Sequence, residues 1–447
     1  MIAEAVDRGL RAFEERVANP RTVKQAARML KKLVGRGMDA DLVREIQRLR
    51  LQRVMAYVYR RSPFYRQQFD VYGVRPRDVR DLADLQWFPF TTSNDIRDWR
   101  QFLCVPEDEV SAVFTTSGST GEPKRVFYTW REMQMLTNLA AASLRVGHPG
   151  RLWALIALPI GHGLWMGAAM AARAVERAGG LPIPVGAGSP AETLRWMQRF
   201  EPNVVMSSPS YMTALTREAE RQGYQARLEA ILLGGEMLTA AHKRYFQEYW
   251  GAQVFDAYGS TEIGGAQTIA LPECIAFNLN DLHLVTEIVD PSSGVPADEG
   301  ELVFTTLTRE AMPLVRYRSG DRARWADCPC WLPFRSIRLL GRIDDMLVAG
   351  DMNLYGQVIA ERIAQVPGAT GRVELVLDKV GLTDRLRVRV EGGDVNANVV
   401  RQALYDAYPE LPTNVQNGNL FLEVETGVDL GDQIKALKIV DQRITNG

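Results

Sequence analysis

From Arg125 to Ala257 the chain alternates short apolar runs with amphipathic segments, and no other feature limits its fold so strongly. Runs suited to buried strands stand at Arg125–Tyr128, Leu152–Leu158, Leu181–Pro184, Val204–Ser207, Ala230–Leu233 and Gln253–Ala257. Helical spacing fills the intervals: Trp130–Val146 behind a Thr129 cap, then Gly167–Arg177, Pro190–Phe200, Tyr211–Arg221 and Thr239–Trp250. Near-continuous apolar runs suit strands covered on both faces. Strand–helix repetition predicts an α/β fold with parallel sheets flanked by helices. In open sheets of this kind ligands sit beyond the carboxyl ends of the strands. The peptides that follow the strands are therefore the place to look for a site.

The flanks have a different texture. Residues 1–72 read as helical, with apolar spacing in Thr22–Val34 and Leu42–Tyr59, and a further helix is predicted over Asn94–Phe102. Past Ile263 the pattern changes to short strands with Pro/Gly turns, at Glu287–Val289, Gly300–Thr305 and Leu314–Tyr317. Beyond Gly341 a helix at Tyr355–Gln365, strands at Val373–Leu377 and Leu386–Glu391, and a helix at Val395–Ala407 suggest a small α+β unit. The expected organisation is a large N-terminal domain, 1–341, of parallel sheets plus a β-rich subdomain, and a mobile C-terminal lid, 342–447.

Composition excludes several classes. Lys plus Arg number 53 against 54 Asp plus Glu, so a nucleic-acid or anionic-membrane surface is not expected. The first residues hold Glu4 and Asp7 with no long apolar core, and no apolar run reaches membrane-spanning length. Four cysteines are too few for a disulfide scaffold. A cytoplasmic enzyme is the expectation.

Four motifs carry chemistry. Thr115-Thr116-Ser117-Gly118-Ser119-Thr120-Gly121-Glu122-Pro123-Lys124 offers hydroxyl donors, two glycines that admit an oxyanion and a lysine charge. A Ser/Gly surface turn has the same composition, and the spacing is not that of a P-loop kinase. Tyr258-Gly259-Ser260-Thr261-Glu262 sets an aromatic ring, a hydroxyl and a carboxylate at a strand end. These suit base stacking, a phosphate contact and Mg²⁺. Arg316-Tyr317-Arg318-Ser319-Gly320-Asp321 offers an aspartate able to accept from two ribose hydroxyls. Gly341-Arg342-Ile343-Asp344-Asp345-Met346 marks the domain boundary, and Asp suits a hinge because it tolerates unusual backbone angles.

Together and in this order, the four motifs resemble those of the adenylate-forming superfamily of acyl- and aryl-coenzyme A synthetases. Glu301–Thr308, Met312-Pro313-Leu314 and Gly341–Met346 resemble its phenylacetate–coenzyme A ligase-like members. The resemblance implies ATP-dependent activation of an aromatic carboxylic acid as an acyl-adenylate, with transfer to coenzyme A. It implies nucleotide binding by Thr116–Gly121, Lys124, Gly234, Gly235, Glu236, Tyr258, Gly259, Ser260, Asp321 and Arg342. Thr261 and Glu262 (with Mg²⁺) would be catalytic, and Asp344 the hinge. It also implies a lysine near the C-terminus that neutralises charge on the reacting carboxylate and α-phosphate. Aligning Ile439-Val440-Asp441 with the family's ending gives Lys435 that role, with Lys438 a near neighbour.

An acid pocket is expected from Tyr128, Gly161, His162, Gly163, Pro209, Ser210, Tyr211, Ile263 and Gly264, all close to predicted strand ends. Cys328-Pro329-Cys330 with Cys274 and His283 makes a Cys₃His set of the kind that holds structural zinc, and some members of the subfamily carry zinc at such positions. Four unrelated side chains remain the alternative. Asp351 stands where an apolar or basic residue is usual in relatives, on a segment that faces the acceptor. A carrier-protein thiol or an amine is therefore kept beside coenzyme A as acceptor. A non-catalytic ligand-binding relative and a homodimer also stay open.

Overall fold

The computed structural model describes residues 2–16, 38–115, 124–148, 150–160, 164–236, 238, 240–269, 274, 276–343, 346–349, 352–380, 383–409, 411–431 and 436–442. The predicted helix at Thr22–Val34 lies outside these residues, as do Thr116–Pro123, Gly161–Gly163, Asp344, Asp351 and Lys435. The chain groups into two compact units. One comprises Met1–Leu238, Phe246–Ser319 and Ala323–Arg338; the other comprises Thr239–Tyr245, Gly320–Arg322 and Leu339–Gly447.

The first unit is built on a five-stranded parallel sheet. Its spatial order is Leu181–Pro184, Trp153–Ala157, Val204–Ser207, Ala230–Gly234, Gln253–Ala257. Ala154, Leu155, Ile156, Val204, Val205, Ile231 and Leu233 are all buried, as a sheet covered on both faces requires. Helix Trp130–Gly147 precedes the first strand, and helices Met166–Arg177, Pro190–Phe200, Pro209–Gln222 and Ala240–Trp250 separate the strands in sequence. Thr129 caps the first of them: its hydroxyl accepts from the Glu132 amide, and the Glu132 carboxylate accepts from the Thr129 amide. The strand before that cap, Arg125–Thr129, is not part of the parallel sheet; it pairs antiparallel with Val110–Thr115 in a two-stranded sheet. A six-stranded sheet follows, in the order Thr268–Ile269, Phe277–Leu279, Ser336–Arg342, Tyr317–Ala326, Glu299–Thr306, Leu284–Val289.

Helix Ala40–Arg61 buries Val43, Ile46, Gln47, Arg50, Leu51, Val54, Met55 and Val58, one stripe at helical spacing. Part of that stripe packs with Tyr65, Phe69, Phe88, Phe102 and Tyr317 in one core.

Two predicted elements need correction. Leu314–Tyr317 is not a strand. The strand starts at Tyr317, because Arg316 takes a φ of 46° that breaks the extended path. Asn94–Phe102 is not one helix. Asp98 (ψ 66°) separates a 3₁₀ turn at Asp95–Arg97 from a short helix at Trp99–Phe102.

The second unit carries a four-stranded sheet, ordered Leu420–Thr426, Thr383–Gly392, Ala369–Val380, Leu437–Asp441. Its central pair is antiparallel and both outer pairs are parallel. Leu386, Val388 and Val390 face the core with Val373, Leu375 and Leu377. Arg385 and Arg387 pair with Asp378, while Arg389 pairs with Glu374 and Glu425. The period of two sorts apolar from charged along each strand.

Candidate active site

In-register pairing aligns the ends of the parallel strands. Ala157 lies beside Ser207, Ser207 beside Leu233, and Gly234 beside Ala257. The peptides that leave these ends therefore issue from one end of the sheet: 158–160, Pro209–Tyr211, Gly235-Glu236 and Tyr258–Gly264. The first residue of the Ser/Gly loop is tied to the same end, where the Thr115 amide donates to the Leu164 carbonyl at 2.9 Å. Its last residue, Lys124, reaches the Tyr258–Glu262 turn.

That turn is a tight hairpin. Gly259-Ser260 pairs with Gly265-Ala266. A Cβ on Gly259 would stand 1.9 Å from the Gly265 carbonyl oxygen, so only glycine fits there. Tyr258 is 9% exposed and lies between the rings of Phe277 and Phe304, each centroid 6.2 Å away.

Glu262 is 5% exposed, and two donors meet one of its carboxylate oxygens. Lys124 Nζ stands 2.7 Å from its Oε1, and the Tyr317 hydroxyl donates to the same oxygen at 3.1 Å. Burial by itself would raise the Glu262 carboxyl. The Lys124 ammonium and the hydrogen bonds from Lys124 and Tyr317 reverse this and hold it below the ordinary carboxylate value. A buried carboxylate kept ionised fits a Mg²⁺ site of the sort completed by substrate phosphates, which needs only one or two protein carboxylates. When bound, the ion would neutralise phosphate charge.

Behind this front lies a buried group that none of the four motifs contains. Arg309 is 4% exposed and joins four side or main chains. Its Nε donates to Glu132 at 2.6 Å, one terminal nitrogen to the Glu262 carbonyl at 2.9 Å, and the other to the Phe127 carbonyl at 2.8 Å. Its guanidinium lies 3.9 Å over the Tyr128 ring, and the Tyr128 hydroxyl donates to the Thr261 carbonyl. Tyr128 was expected in the acid pocket. With no exposed surface, its ring against Arg309 and its hydroxyl on Thr261, it packs under the hairpin instead. The local signal here is Glu132 three residues after Thr129, the spacing of a capping box; its burial is a property of the fold.

Other expected residues fall as follows. Ile263 is buried and Gly264 adopts a φ of 100°. Tyr211, at the start of helix Pro209–Gln222, shares a 2.8 Å hydrogen bond with the Thr193 hydroxyl. Pro209 and Ser210 open that helix, directly after the 204–207 strand. Gly234 ends its strand, where a Cβ would stand 2.9 Å from the Ala257 carbonyl oxygen.

In the second unit Asp321 accepts from Arg342 at 3.0 Å. A Cβ on the neighbouring Gly320 would meet that guanidinium at 2.8 Å. Lys438 points off the four-stranded sheet and stands 2.5 Å from Glu374.

Away from the hairpin, the sulfurs of Cys274, Cys328 and Cys330 lie within 4.8 Å of one another. Thiolates on one tetrahedral zinc, with bonds of about 2.3 Å, sit about 3.8 Å apart, so three ligands fit. The Asn278 amide nitrogen lies 2.9 Å from Cys274 Sγ. His283, expected as the fourth ligand, is not part of this group; its Nδ1 is 2.8 Å from the Thr308 hydroxyl.

A family model described as AMP-binding enzyme matches residues 73–306. A phenylacetate–coenzyme A ligase of Aromatoleum evansii is 35% identical over 363 residues, covering 78% of this chain and 82% of that protein. The phenylacetate–coenzyme A ligase of Escherichia coli K12 is 34% identical over 366 residues, covering 79% and 83%. Among solved structures, a 2-hydroxyisobutyryl-CoA ligase in its postadenylation state superposes with a TM-score of 0.78 over 91% of each chain; at 24% identity this likeness speaks for the fold. The chain belongs to the AMP-binding, adenylate-forming enzyme family, in its phenylacetate–coenzyme A ligase-like branch.

Proposed function

We propose that the chain is an AMP-forming ligase that activates an aromatic carboxylic acid with ATP and passes it to coenzyme A. The observation that carries this reading is the ionised, buried Glu262 held by Lys124 at the ligand end of the parallel sheet. Relatives named for phenylacetate, and more distant ones named for 4-chlorobenzoate, support an aryl-acetic or benzoic acid as substrate.

In the first step a carboxylate oxygen of the acid attacks the α-phosphorus of ATP. The bond to the bridging oxygen breaks, and pyrophosphate leaves. In the second step the coenzyme A thiol gives up its proton, sulfur attacks the acyl carbon, and AMP leaves. Thr116–Gly121 and Lys124 orient the phosphates. Thr261 donates to them, and Glu262 would hold Mg²⁺. Gly234–Glu236 and Tyr258–Ser260 take the base, and Asp321 with Arg342 takes the ribose. Lys435 offsets charge on the reacting groups, and Asp344 is the hinge. The alternative lysine, Lys438, already pairs with Glu374.

The test is pyrophosphate–ATP exchange with benzoate, phenylacetate and heteroaryl acids, followed by AMP release with coenzyme A, a carrier-protein thiol or an amine. Acid-dependent exchange is expected, and it should disappear in Lys435→Ala while Lys438→Ala keeps it. Exchange without any thioester on free coenzyme A overturns the acceptor. No exchange with any acid overturns the enzyme reading.

The three clustered cysteines support a structural zinc. Purified protein should then carry about one zinc per chain by elemental analysis. Cys328→Ser should lose both the metal and thermal stability, and metal-free wild-type protein of unchanged stability removes this site.

A further inference from the structure

Resting on the reading above, we propose that Arg309 is a positioning residue for the adenylation half-reaction, one that sets the strand following Lys124 and the Thr261–Glu262 turn in register. A side chain that touches no substrate can do this because of what it ties together.

Thr261 and Glu262 are adjacent, and both their carbonyls are held from the same buried cluster. The Tyr128 hydroxyl takes Thr261, and Arg309 takes Glu262 at 2.9 Å. With both peptide planes fixed, the direction in which the Glu262 side chain leaves the backbone is fixed too. The third Arg309 bond, 2.8 Å to Phe127, reaches the Arg125–Thr129 strand, which begins directly after Lys124. One planar fork therefore spans the strand leaving the phosphate loop and the turn that carries the carboxylate. Lysine, a point charge with no such fork, cannot make these contacts together.

The fork is itself held rigidly. Glu132 accepts from Arg309 Nε at 2.6 Å, from the Thr129 amide at 2.6 Å, and from the amides of Glu310 and Ala311 at 2.8 and 3.2 Å. Four donors on one carboxylate fill its acceptor sites. The pair is 2% and 1% exposed, so neither partner exchanges its bonds for water. Groups that orient a metal-binding carboxylate from behind typically matter about 10–100-fold in metal affinity or rate.

The experiment uses Arg309→Lys, which keeps the charge beside Glu132 but loses the fork. Glu132→Gln is made in parallel, so that misfolding of one variant leaves the other. Three quantities are read beside wild type. These are acid-dependent pyrophosphate exchange with its Mg²⁺ requirement, thioester formation from supplied acyl-adenylate plus coenzyme A, and calorimetric binding of ATP with Mg²⁺ against AMP without metal. Exchange is expected to fall about 10–100-fold and to need more Mg²⁺. Binding of ATP with Mg²⁺ should weaken, while AMP binding and the supplied-adenylate reaction stay within about twofold of wild type. Equal losses in every reading, or none in exchange, overturn the role. A wild-type protein that makes no thioester from supplied adenylate removes coenzyme A as acceptor but leaves the exchange and binding comparisons to decide on Arg309.

Discussion

Replacing Glu262 by glutamine leaves the chain folded and lowers acid-dependent pyrophosphate–ATP exchange by about 10²–10³-fold. Glutamine has nearly the same shape. Its carbonyl oxygen can still accept from Lys124 and from the Tyr317 hydroxyl, the two donors that hold Oε1 at 2.7 and 3.1 Å. What disappears is the charge. The wild-type protein keeps that charge in a site 5% exposed, against the tendency of burial to neutralise it, by placing an ammonium beside it. Hard cations such as Mg²⁺ favour anionic oxygen, so the amide is a poor substitute. Thermal unfolding should change little, since Lys124 retains some exposure to solvent and no donor loses its partner. An exchange rate within tenfold of wild type would remove Glu262 from the reaction and leave it a structural carboxylate.

The second large effect is on stability. Arg316→Ala should cost about 3–5 kcal/mol at neutral pH, read by urea unfolding. Arg316 is 2% exposed. Its guanidinium pairs with Glu287 at 3.0 Å, donates to the Gln86 and Phe88 carbonyls at 3.1 and 2.8 Å, and lies 3.9 Å over the Phe90 ring. Truncation strands a carboxylate and two carbonyls. The loss has a pH signature whose sign can be worked out. Burial already raises the Glu287 carboxyl above its ordinary value, and Arg316 only partly offsets this. Without Arg316 the folded-state value rises further above the unfolded one, so the folded protein binds a proton more tightly. The variant therefore recovers stability as the pH falls from about 7 to about 5, narrowing its gap to wild type. A loss under about 1 kcal/mol, equal at both pH values, rules out a dependence of Glu287 on Arg316.

The parallel sheet was legible because its signal is local. Pro190–Phe200, Val204–Ser207 and Gln253–Ala257 have the predicted bounds, since buried strands and amphipathic helices declare themselves within a few residues. Arg316 was not legible as a breaker of its strand. Its positive φ is stabilised by Glu287, Gln86, Phe88 and Phe90, far away in sequence, and no local rule puts arginine in that conformation. The motifs exposed the front of the site in the same local way: Lys124, Tyr258 and Glu262 each stand in a recognisable pattern. Arg309, Glu132 and Tyr317 escaped because their meaning is tertiary. Arg309 is 177 residues from Glu132 and 47 from Glu262, and a motif read along the chain cannot show that they meet. Tyr128 was misplaced for the converse reason. An aromatic beside a loop suggests a pocket, and only the fold reveals that its hydroxyl is spent on Thr261.

The strand order of the smaller sheet bears on how the polypeptide matures during synthesis. Leu437–Asp441 pairs in parallel with Ala369–Val380, from Val373 beside Leu437 to Leu377 beside Asp441. Until that late stretch leaves the ribosome, the 369–380 strand has no neighbour on one side, and its backbone donors and acceptors there are open to pairing with another chain. The five-stranded parallel sheet, complete by Ala257, has no such wait. Domains form as they emerge. The larger body can therefore assemble while the smaller one is still an unfinished sheet, and the interval before Leu437–Asp441 emerges is when a nascent chain of this protein is most exposed to aggregation.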